Sequence, residues 1–369
     1  MSEGEKGGSN HSDPAADTHE VDPTVDADPD VGPDTDGSGC RNGDAGANSR
    51  PPRVISAGHI NWDVTMHVGA LPDPDGETRI ERLEQSGGGS AANVAVGLVD
   101  LGANAAVYGS VGGDESGALA LRELSNAGVD PGHVLIDADD ATSVKYVIVD
   151  AEGELMMLAN EGANEAFTAA DLDADTLSAA DHLHLTSQEP ATAAALAAGA
   201  GETGATRSFD PGRMVGERDY AAALAATDLL FLNEQEAEAV AETTDLDPWE
   251  PTDRVVVIKL GSEGATVRTP NGDVSHPGFP VDPVDTTGAG DAFAAGFLGA
   301  ALRDNEATGG EGPGVSHDPR DYQVPLLVGN ACGALAAQEV TARVDLSWDA
   351  VRETMGEEPE ADLLIEVRV

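Results

Sequence analysis

The chain has 369 residues, with 19 Lys and Arg against 68 Asp and Glu, for a formal net charge of -49. A surface this acidic repels phosphate backbones and anionic headgroups, which excludes nucleic acid and membrane surfaces as partners. The 40% hydrophobic content is ample for one large domain or two modest ones, and no apolar run reaches the roughly 20 residues of a membrane span.

Lysine occurs only at positions 6, 145 and 259, while carboxylates are spread along the whole chain. Such a distribution fits a protein kept soluble in concentrated salt, where screening removes most of the self-repulsion. Cys40 and Cys332 lie far apart in no CxxC or Cys/His spacing, so both read as free thiols of a reducing compartment. The opening MSEGEKGGSN has no hydrophobic signal core, and the expected location is the cytoplasm.

Residues 1–52 are Asp, Gly, Pro, Ser and Ala with no aromatic and no apolar period, a composition that cannot offset the entropy of ordering. They are expected to form a disordered acidic tail, with the folded domain spanning 53–369. Val54 to Ala57 reads as a buried strand closed by Gly58. A helix follows from about Ala91 to Leu101, then a strand at Ala105 to Tyr108 and a helix around Ser116 to Ala127. Further buried strands are expected at His182 to Leu185, Thr206 to Phe209, Asp228 to Leu232 and Arg254 to Leu260. This alternation predicts an α/β class with a parallel sheet covered by helices on both faces. Two segments, about 64–86 and 142–158, read instead as amphipathic strands with AEGE turning at Ala151 to Glu154, a half-exposed sheet shaped like a lid. Glu306 to Arg320, rich in Gly, Pro and charge, reads as a surface insertion between the last two helices.

The sharpest local signal is VDTTGAGDAFAAGFLGA, Val284 to Ala300. Thr286 and Thr287 are suited to cap a helix beginning near Gly288, and Phe293, Phe297 and Ala301 recur at the spacing of a buried face. Gly288, Ala289 and Gly290 present backbone amides with little side chain in the way, a nest of phosphate size at a positive helix end. Asp291, in the first turn, is placed to accept the proton of an attacking hydroxyl beside that nest. Taken alone, the same residues read equally well as a favourable acidic N-terminus with glycines for close packing.

The wider context resembles a known family. DTTGAGD at Asp285 to Asp291 is similar to the C-terminal signature of the ribokinase/PfkB family of carbohydrate and nucleoside kinases. SGGGSAANVA, Ser86 to Ala95, resembles the N-terminal signature; GHINWD, Gly58 to Asp63, the first-strand segment; EGAN, Glu161 to Asn164, the loop after the lid. NEQE at Asn233 to Glu236 looks like NxxE, KLGSEG at Lys259 to Gly264 like the segment before the nucleotide pocket, and GNACGA near Asn330 like the adenine-side helix. The resemblance spans about Val54 to Val351 and implies a three-layer α/β/α ribokinase-like domain with a β-sheet lid. It implies a kinase using ATP and Mg2+ to phosphorylate a small sugar, sugar phosphate or nucleoside. Asn61, Asp63, Gly88, Gly89, Asn93 and Asn164 would then hold the acceptor, and Asp291 would take its proton. Asn233, Gly261, Gly264 and Asn330 would bind the nucleotide, Glu236 would support Mg2+ through water, and Asp285 would neighbour a K+ ion. Lys259, at the end of an apolar strand, reads either as a snorkelling strand end or as a nucleotide contact.

Two departures from the family pattern bear on the acceptor. The Gly-rich loop lacks the lysine of GGKGANQA-like sequences, which argues against free ribose, and FDPGRM at Phe209 to Met214 has Gly212 where the family has Asn. A phosphorylated acceptor such as ribose 1-phosphate needs cations, and Lys145, Arg79 and Arg82 in the lid, with Arg207 and Arg213 elsewhere, are the candidates; they read equally as charges that blunt a sheet edge. A nucleobase resting on Trp62, Tyr146 and Met66 is the nucleoside alternative; fructose, 2-keto-3-deoxygluconate, ADP as donor, and an idle sugar-sensing relative stay open. Homodimerisation through the lid is a further implication of the resemblance.

Overall fold

Short runs such as Leu229–Asn233 and Val255–Lys259 are buried on both faces, which a strand sustains only when helices cover both sides of its sheet. The computed structural model describes residues 50–307, 315–339, 343–356 and 366–368. In chain order its strands are β1 (Arg53–Ala57), β2 (Asn61–Val68), β3 (Ile80–Gly88), β4 (Asn104–Tyr108), β5 (Ser110–Gly112), β6 (Leu135–Asp137), β7 (Val144–Val149) and β8 (Leu155–Ala159). They continue with β9 (His182–Leu185), β10 (Thr206–Phe209), β11 (Leu229–Asn233), β12 (Val255–Lys259), β13 (Ala265–Thr269), β14 (Gly272–His276) and β15 (Glu366–Arg368). The helices are α1 (Ser90–Asp100), α2 (Glu115–Asn126), α3 (Ala174–Ser178), α4 (Pro190–Thr203), α5 (Ala221–Ala225), α6 (Glu234–Thr243), α7 (Ala289–Ala307), α8 (Gln323–Ala337) and α9 (Trp348–Met355).

The main sheet runs β15-β14-β13-β12-β11-β10-β9-β1-β4. From β4 to β12 every pairing is parallel. Alternate residues of one strand feed two different cores: Val255 and Val257 pack with α1, α2, α7, α8 and α9, while Val256 and Ile258 pack with α3 to α6. That division is the three-layer α/β/α arrangement expected above. Phe297 anchors the first core, edge-on to Phe231 and stacked against Phe293 and Tyr322. Inside the sheet a polar cluster is sealed: His182 Nε2 and His184 Nδ1 both reach Ser208 Oγ at 2.7 Å. Burial depresses both imidazoles to about 3, so they are neutral in the folded chain.

The sheet departs from the reading above at one end. Strands β13, β14 and β15 are antiparallel, and a hairpin from Ala265 to His276 extends what looked like a purely parallel array. Its polar strands, ATVRT and GDVSH, lack the unbroken apolar run that marks a parallel strand. Helix α7 continues through Glu306 to Ala307, so the expected insertion starts later; residues 308–314 of it lie outside the described residues, as do residues 1–49 of the tail expected over 1–52, Cys40 among them. Because α9 follows α8, that insertion separates α7 from α8 rather than the last two helices. Cys332 is a free, buried thiol in α8.

A second sheet, β3-β2-β7-β8, is built from the two amphipathic segments. Its faces differ in chemistry. Trp62 and Val64 belong to the first core, while Asn61, Asp63 and Lys145 alternate with them on the opposite side, Asp63 being paired in register with Lys145. Phe297→Ala is expected to lower stability by about 3–5 kcal/mol, the range for emptying an aromatic site in a packed core. Urea titration in molar KCl measures it, and a loss below 1 kcal/mol would mean the cluster is loosely packed.

Candidate active site

Parallel strands deliver their carboxyl ends to one edge of the sheet, and ligands in open α/β sheets bind outside that edge. Three charged residues arrive there in this way. Asp210 follows β10, Glu236 sits in the first turn of α6 just after β11, and Lys259 closes β12. Lys259 Nζ donates to Asp210 Oδ2 at 2.5 Å, both side chains being less than one-fifth exposed. Burial works against the ammonium, but Asp210 and Glu236 outweigh it, and the pKa of Lys259 is raised. Burial first, and the Asp210 charge second, raise that of Glu236.

Helix α7 points its N-terminus into the same place. Gly288 has a positive φ of 78°, which turns the chain sharply into the helix and which a larger residue would resist. At the start of α7 the Ala289 amide donates to Thr286 O at 3.2 Å, which leaves the amides of Gly288 and Gly290 as the donors of this turn at a positive dipole end. Asp285 Oδ1 accepts from Thr287 N at 2.8 Å; the bracing of this turn expected from Thr286 and Thr287 comes from the aspartate before them. A Cβ placed on Gly290 would lie 3.6 Å from Lys259 Nζ, so the lysine stands directly against the amide nest. Asp291 occupies the first turn. Desolvation raises its pKa above the ordinary carboxylate value, opposed by hydrogen bonds from Asn93 and Ser90 and by the Lys259 charge, and reinforced by Asp210.

Helix α1 lies along α7 with Gly97 against Ala295, small residues that bring the two helix starts together. Asn93 Nδ2 therefore donates to Asp291 Oδ2 at 2.8 Å. One N–H of the Asn93 amide is thus given to the carboxylate, a contact the sequence did not announce. Ser86 to Gly88, read as a loop, forms the end of β3, and Gly89 begins the turn into α1. Gly89, with φ 94°, passes so close to the His59 and Ile60 backbone that no side chain fits.

On the acceptor side, the Asp63 carboxylate fills the space over Gly88, and its Oδ1 is buried without a hydrogen-bond partner. Burial raises its pKa, and Lys145 and Arg343 oppose the rise. An unpartnered buried carboxylate oxygen is costly unless a hydroxyl or other donor fills it. Asn61 Oδ1 accepts from Asn164 Nδ2 at 2.8 Å, and Asn164 Oδ1 accepts from the Ile60 amide at 3.2 Å. Next to Asn164, Glu165 is clamped by His59 and Arg218 and held down to about 2, which fixes this turn beside the β1–β2 connection.

The residues expected on the nucleotide side lie along the same edge of the main sheet and on α8. Asn233 and Glu236 form a reciprocal cap on α6, each side chain accepting from the other's amide at 2.8 Å. Gly264 packs against the His276–Gly278 backbone with no room for a side chain, Gly261 has open space around it, and Asn330 is buried, donating to Leu326 O at 3.0 Å. Among the described residues no group of three or more potential ligands converges as a dense metal site. Asp210 and Glu236 nonetheless offer the hard oxygen donors that Mg2+ takes alongside retained water.

Of the proposed lid cations, Lys145 stands beside Asp63, whereas Arg82 is paired with Glu84 on its own strand. Arg207 is removed from the set: it binds Asp228 at the amino ends of β10 and β11, the far edge of the sheet. Trp62 is buried in the core, and Tyr146, exposed, is on Trp62's side of the sheet, away from Asp63. Sequence reasoning missed Asp210, whose DP step was quoted only for its neighbours, and Arg343, which lies in no motif and reaches the site from beyond α8. Only a scarcity argument, an arginine in a chain so poor in base, would have flagged it.

The profile of pfkB family carbohydrate kinases matches residues 52–349. The ATP-dependent ribose-1-phosphate kinase of Halopiger xanaduensis is 49% identical over 83% of this chain and 98% of its own length. A nucleoside kinase of Methanothermobacter thermautotrophicus is 30% identical over 68% of this chain and 82% of its own length. The fold is shared with Arabidopsis thaliana ribokinase in complex with ribose and ATP, at a TM-score of 0.68 and 22% identity over 84% of this chain and all of that one. Giardia lamblia ribokinase matches at a TM-score of 0.70 and 19% identity over 81% of this chain and 97% of that one.

Lys259→Met removes the cation between two enclosed carboxylates and is expected to cost about 3 kcal/mol, as for breaking a buried pair from one side. The loss should shrink as pH falls and Glu236, whose pKa burial raises, takes up a proton, which urea unfolding across pH measures; a pH-independent loss would place the lysine's worth in packing alone.

Proposed function

Because the chain belongs to the pfkB family of carbohydrate kinases, we propose that it moves the terminal phosphoryl group of ATP onto a hydroxyl of ribose 1-phosphate, with Asp291 as the base. The observation that carries this reading is the part-buried Asp291 carboxylate at the tip of α7, held by Asn93 and flanked by Lys259 and the glycine amides. Asp291 takes the proton of the acceptor hydroxyl as its oxygen bonds to the γ-phosphorus, and the bond to the bridging oxygen of ADP breaks. The amides of Gly288 and Gly290, with Lys259, face the charge on the transferred group, and Ala289, whose amide donates to Thr286 O, holds the turn between them. Glu236, acting through water with Asp210 nearby, would hold Mg2+, which neutralises phosphate charge when bound.

Asp63, Asn61 and the Gly88 backbone are assigned to the sugar hydroxyls, and the orphaned Asp63 oxygen is the strongest support for that assignment. Lys145, on the same sheet face, is assigned to the acceptor phosphate. The position of Trp62 and Tyr146 on the other face of the second sheet from Asp63 and Lys145 supports a sugar phosphate over a nucleoside. Asn233, Gly261, Gly264 and Asn330 remain assigned to the nucleotide side, and K+ to the Asp285 turn, on resemblance. The four-stranded sheet is read as a lid whose closure excludes water. Its exposed Leu83, Leu155, Met157 and Leu158 support a homodimer formed there. A cytoplasmic setting in high salt fits the acidic composition.

Phosphotransfer assays in molar KCl with ribose 1-phosphate, ribose, fructose, 2-keto-3-deoxygluconate and nucleosides, each with ATP and ADP, test the substrate. Ribose 1-phosphate with ATP is expected to give the highest kcat/KM, and preference for an unphosphorylated acceptor would overturn the assignment. Asp291→Asn is expected to lower kcat by about 10²–10⁴-fold with ATP affinity retained. Since the Asp291 pKa is raised, wild-type activity should fall on the acid side at a pH above the ordinary carboxylate range, as the base takes up its proton. Lys145→Ala should raise KM for ribose 1-phosphate by about 10–100-fold, the worth of a charge-assisted hydrogen bond, and leave KM for ATP unchanged; equal effects on both would remove Lys145 from the acceptor.

A further inference from the structure

Arg343 lies beyond α8, outside every motif that marks the site, yet its side chain is only 10% exposed and ends in the middle of it. Its Nε donates to Asn93 Oδ1 at 3.1 Å, its Nη1 to Glu123 Oε1 at 2.7 Å, and its Nη2 approaches the Gly88 carbonyl at 3.4 Å. Glu123, on α2, is itself fixed by the Gly87 amide, which donates to both carboxylate oxygens at 3.0 Å. A side chain on Gly87 would land on the guanidinium, so the glycine there is the space Arg343 occupies.

The chemistry of the partners dictates how Asn93 is turned. A guanidinium only donates and a carboxylate only accepts, so the amide must show Oδ1 to Arg343 and Nδ2 to Asp291. A single connected path results, from Glu123 through Arg343 and Asn93 to Asp291, joining α2, the segment after α8, α1 and α7.

Building on the reading of Asp291 as base, we propose that Arg343 is a positioning residue for it, locking the Asn93 amide in the orientation that holds the Asp291 carboxylate toward the acceptor. The groups facing Asp291 are Asn93 and Ser90 from α1, Asp210 after β10, Lys259 of β12, and Arg343 itself, whose charge also meets Asp63. Removing Arg343 withdraws a positive charge and frees the amide to rotate. Both changes disfavour the ionised carboxylate, so Asp291 should then hold its proton to higher pH.

The test compares wild type, Arg343→Ala, Arg343→Lys, Asn93→Ala and the Arg343→Ala/Asn93→Ala pair in the full chain. Arg343→Ala is expected to reduce kcat by roughly 10–100-fold, as for a slightly misplaced reactive group, with KM for ATP within about two-fold of wild type. The acid limb of its rate profile should move to higher pH, and Arg343→Lys, which keeps a donor and a charge, should recover part of both changes. If the arginine acts through the amide, its loss should cost little more once Asn93 is alanine. Independently of turnover, the Asp291 carboxyl resonance, followed by carbon-13 NMR, should titrate higher in Arg343→Ala than in wild type. Should that variant not fold, Arg343→Lys and Glu123→Gln carry the same comparison.

Wild-type rates and an unmoved Asp291 titration in the arginine variants would overturn the proposal. So would losses that multiply in the double variant, or a loss confined to acceptor KM, which would put Arg343 on the acceptor instead. A wild type without phosphotransfer but with the expected titration shift would count against the kinase assignment of Asp291 and leave the positioning intact.

Discussion

The site depends on keeping a cluster of carboxylates together without water. Asp210, Glu236 and Asp291 gather at the carboxyl edge of the main sheet and Asp63 stands on β2 of the second sheet, and burial raises the pKa of Asp63, Glu236 and Asp291. Left alone, such groups would repel one another and draw solvent in. Two cations make the arrangement tenable. Lys259 answers Asp210 and Glu236 from the floor of the sheet, and Arg343 answers Asp63, Glu123 and Asp291 from the side. Neither is a surface ion pair; each is a condition for the carboxylates to be there.

That constraint explains why so many glycines gather at this edge. Gly87 and Gly88 yield their space to Arg343 and Asp63, and Gly89 lets the His59–Ile60 backbone cross. A glycine-rich segment that reads in sequence as a loop is, on this side, a strand end hollowed to admit two charged side chains. The nest at Gly288 to Gly290 differs, because there the amides themselves face the site with Lys259 beside them.

Much of this was legible in the chain. The parallel strands were readable because double-sided burial demands unbroken apolar runs, and His182 to Leu185 and Thr206 to Phe209 emerge at the expected limits. The helix carrying Asp291 was equally plain from its phenylalanine spacing. The antiparallel hairpin at Ala265 to His276 was not, since half-polar strands carry a weaker period. Partnerships across long sequence distance were also hidden: nothing near Asn93 announces that its amide is shared between Asp291, 198 residues on, and Arg343, 250 residues on. Local chemistry identified which side chains matter, and only the packing of α1 on α7 decided which of them touch.

The rarity of lysine gives the site one last property. Of three lysines in the chain, both that fall among the described residues, Lys145 and Lys259, stand at this edge of the fold. Lys259 is held as an ammonium by Asp210 and is therefore a poor nucleophile toward acylating reagents. Amine-directed labelling, which on most proteins decorates the whole exterior, would here meet very few amines, so that the peptide carrying Lys145, read apart from that carrying Lys6, reports by its protection on what occupies this edge.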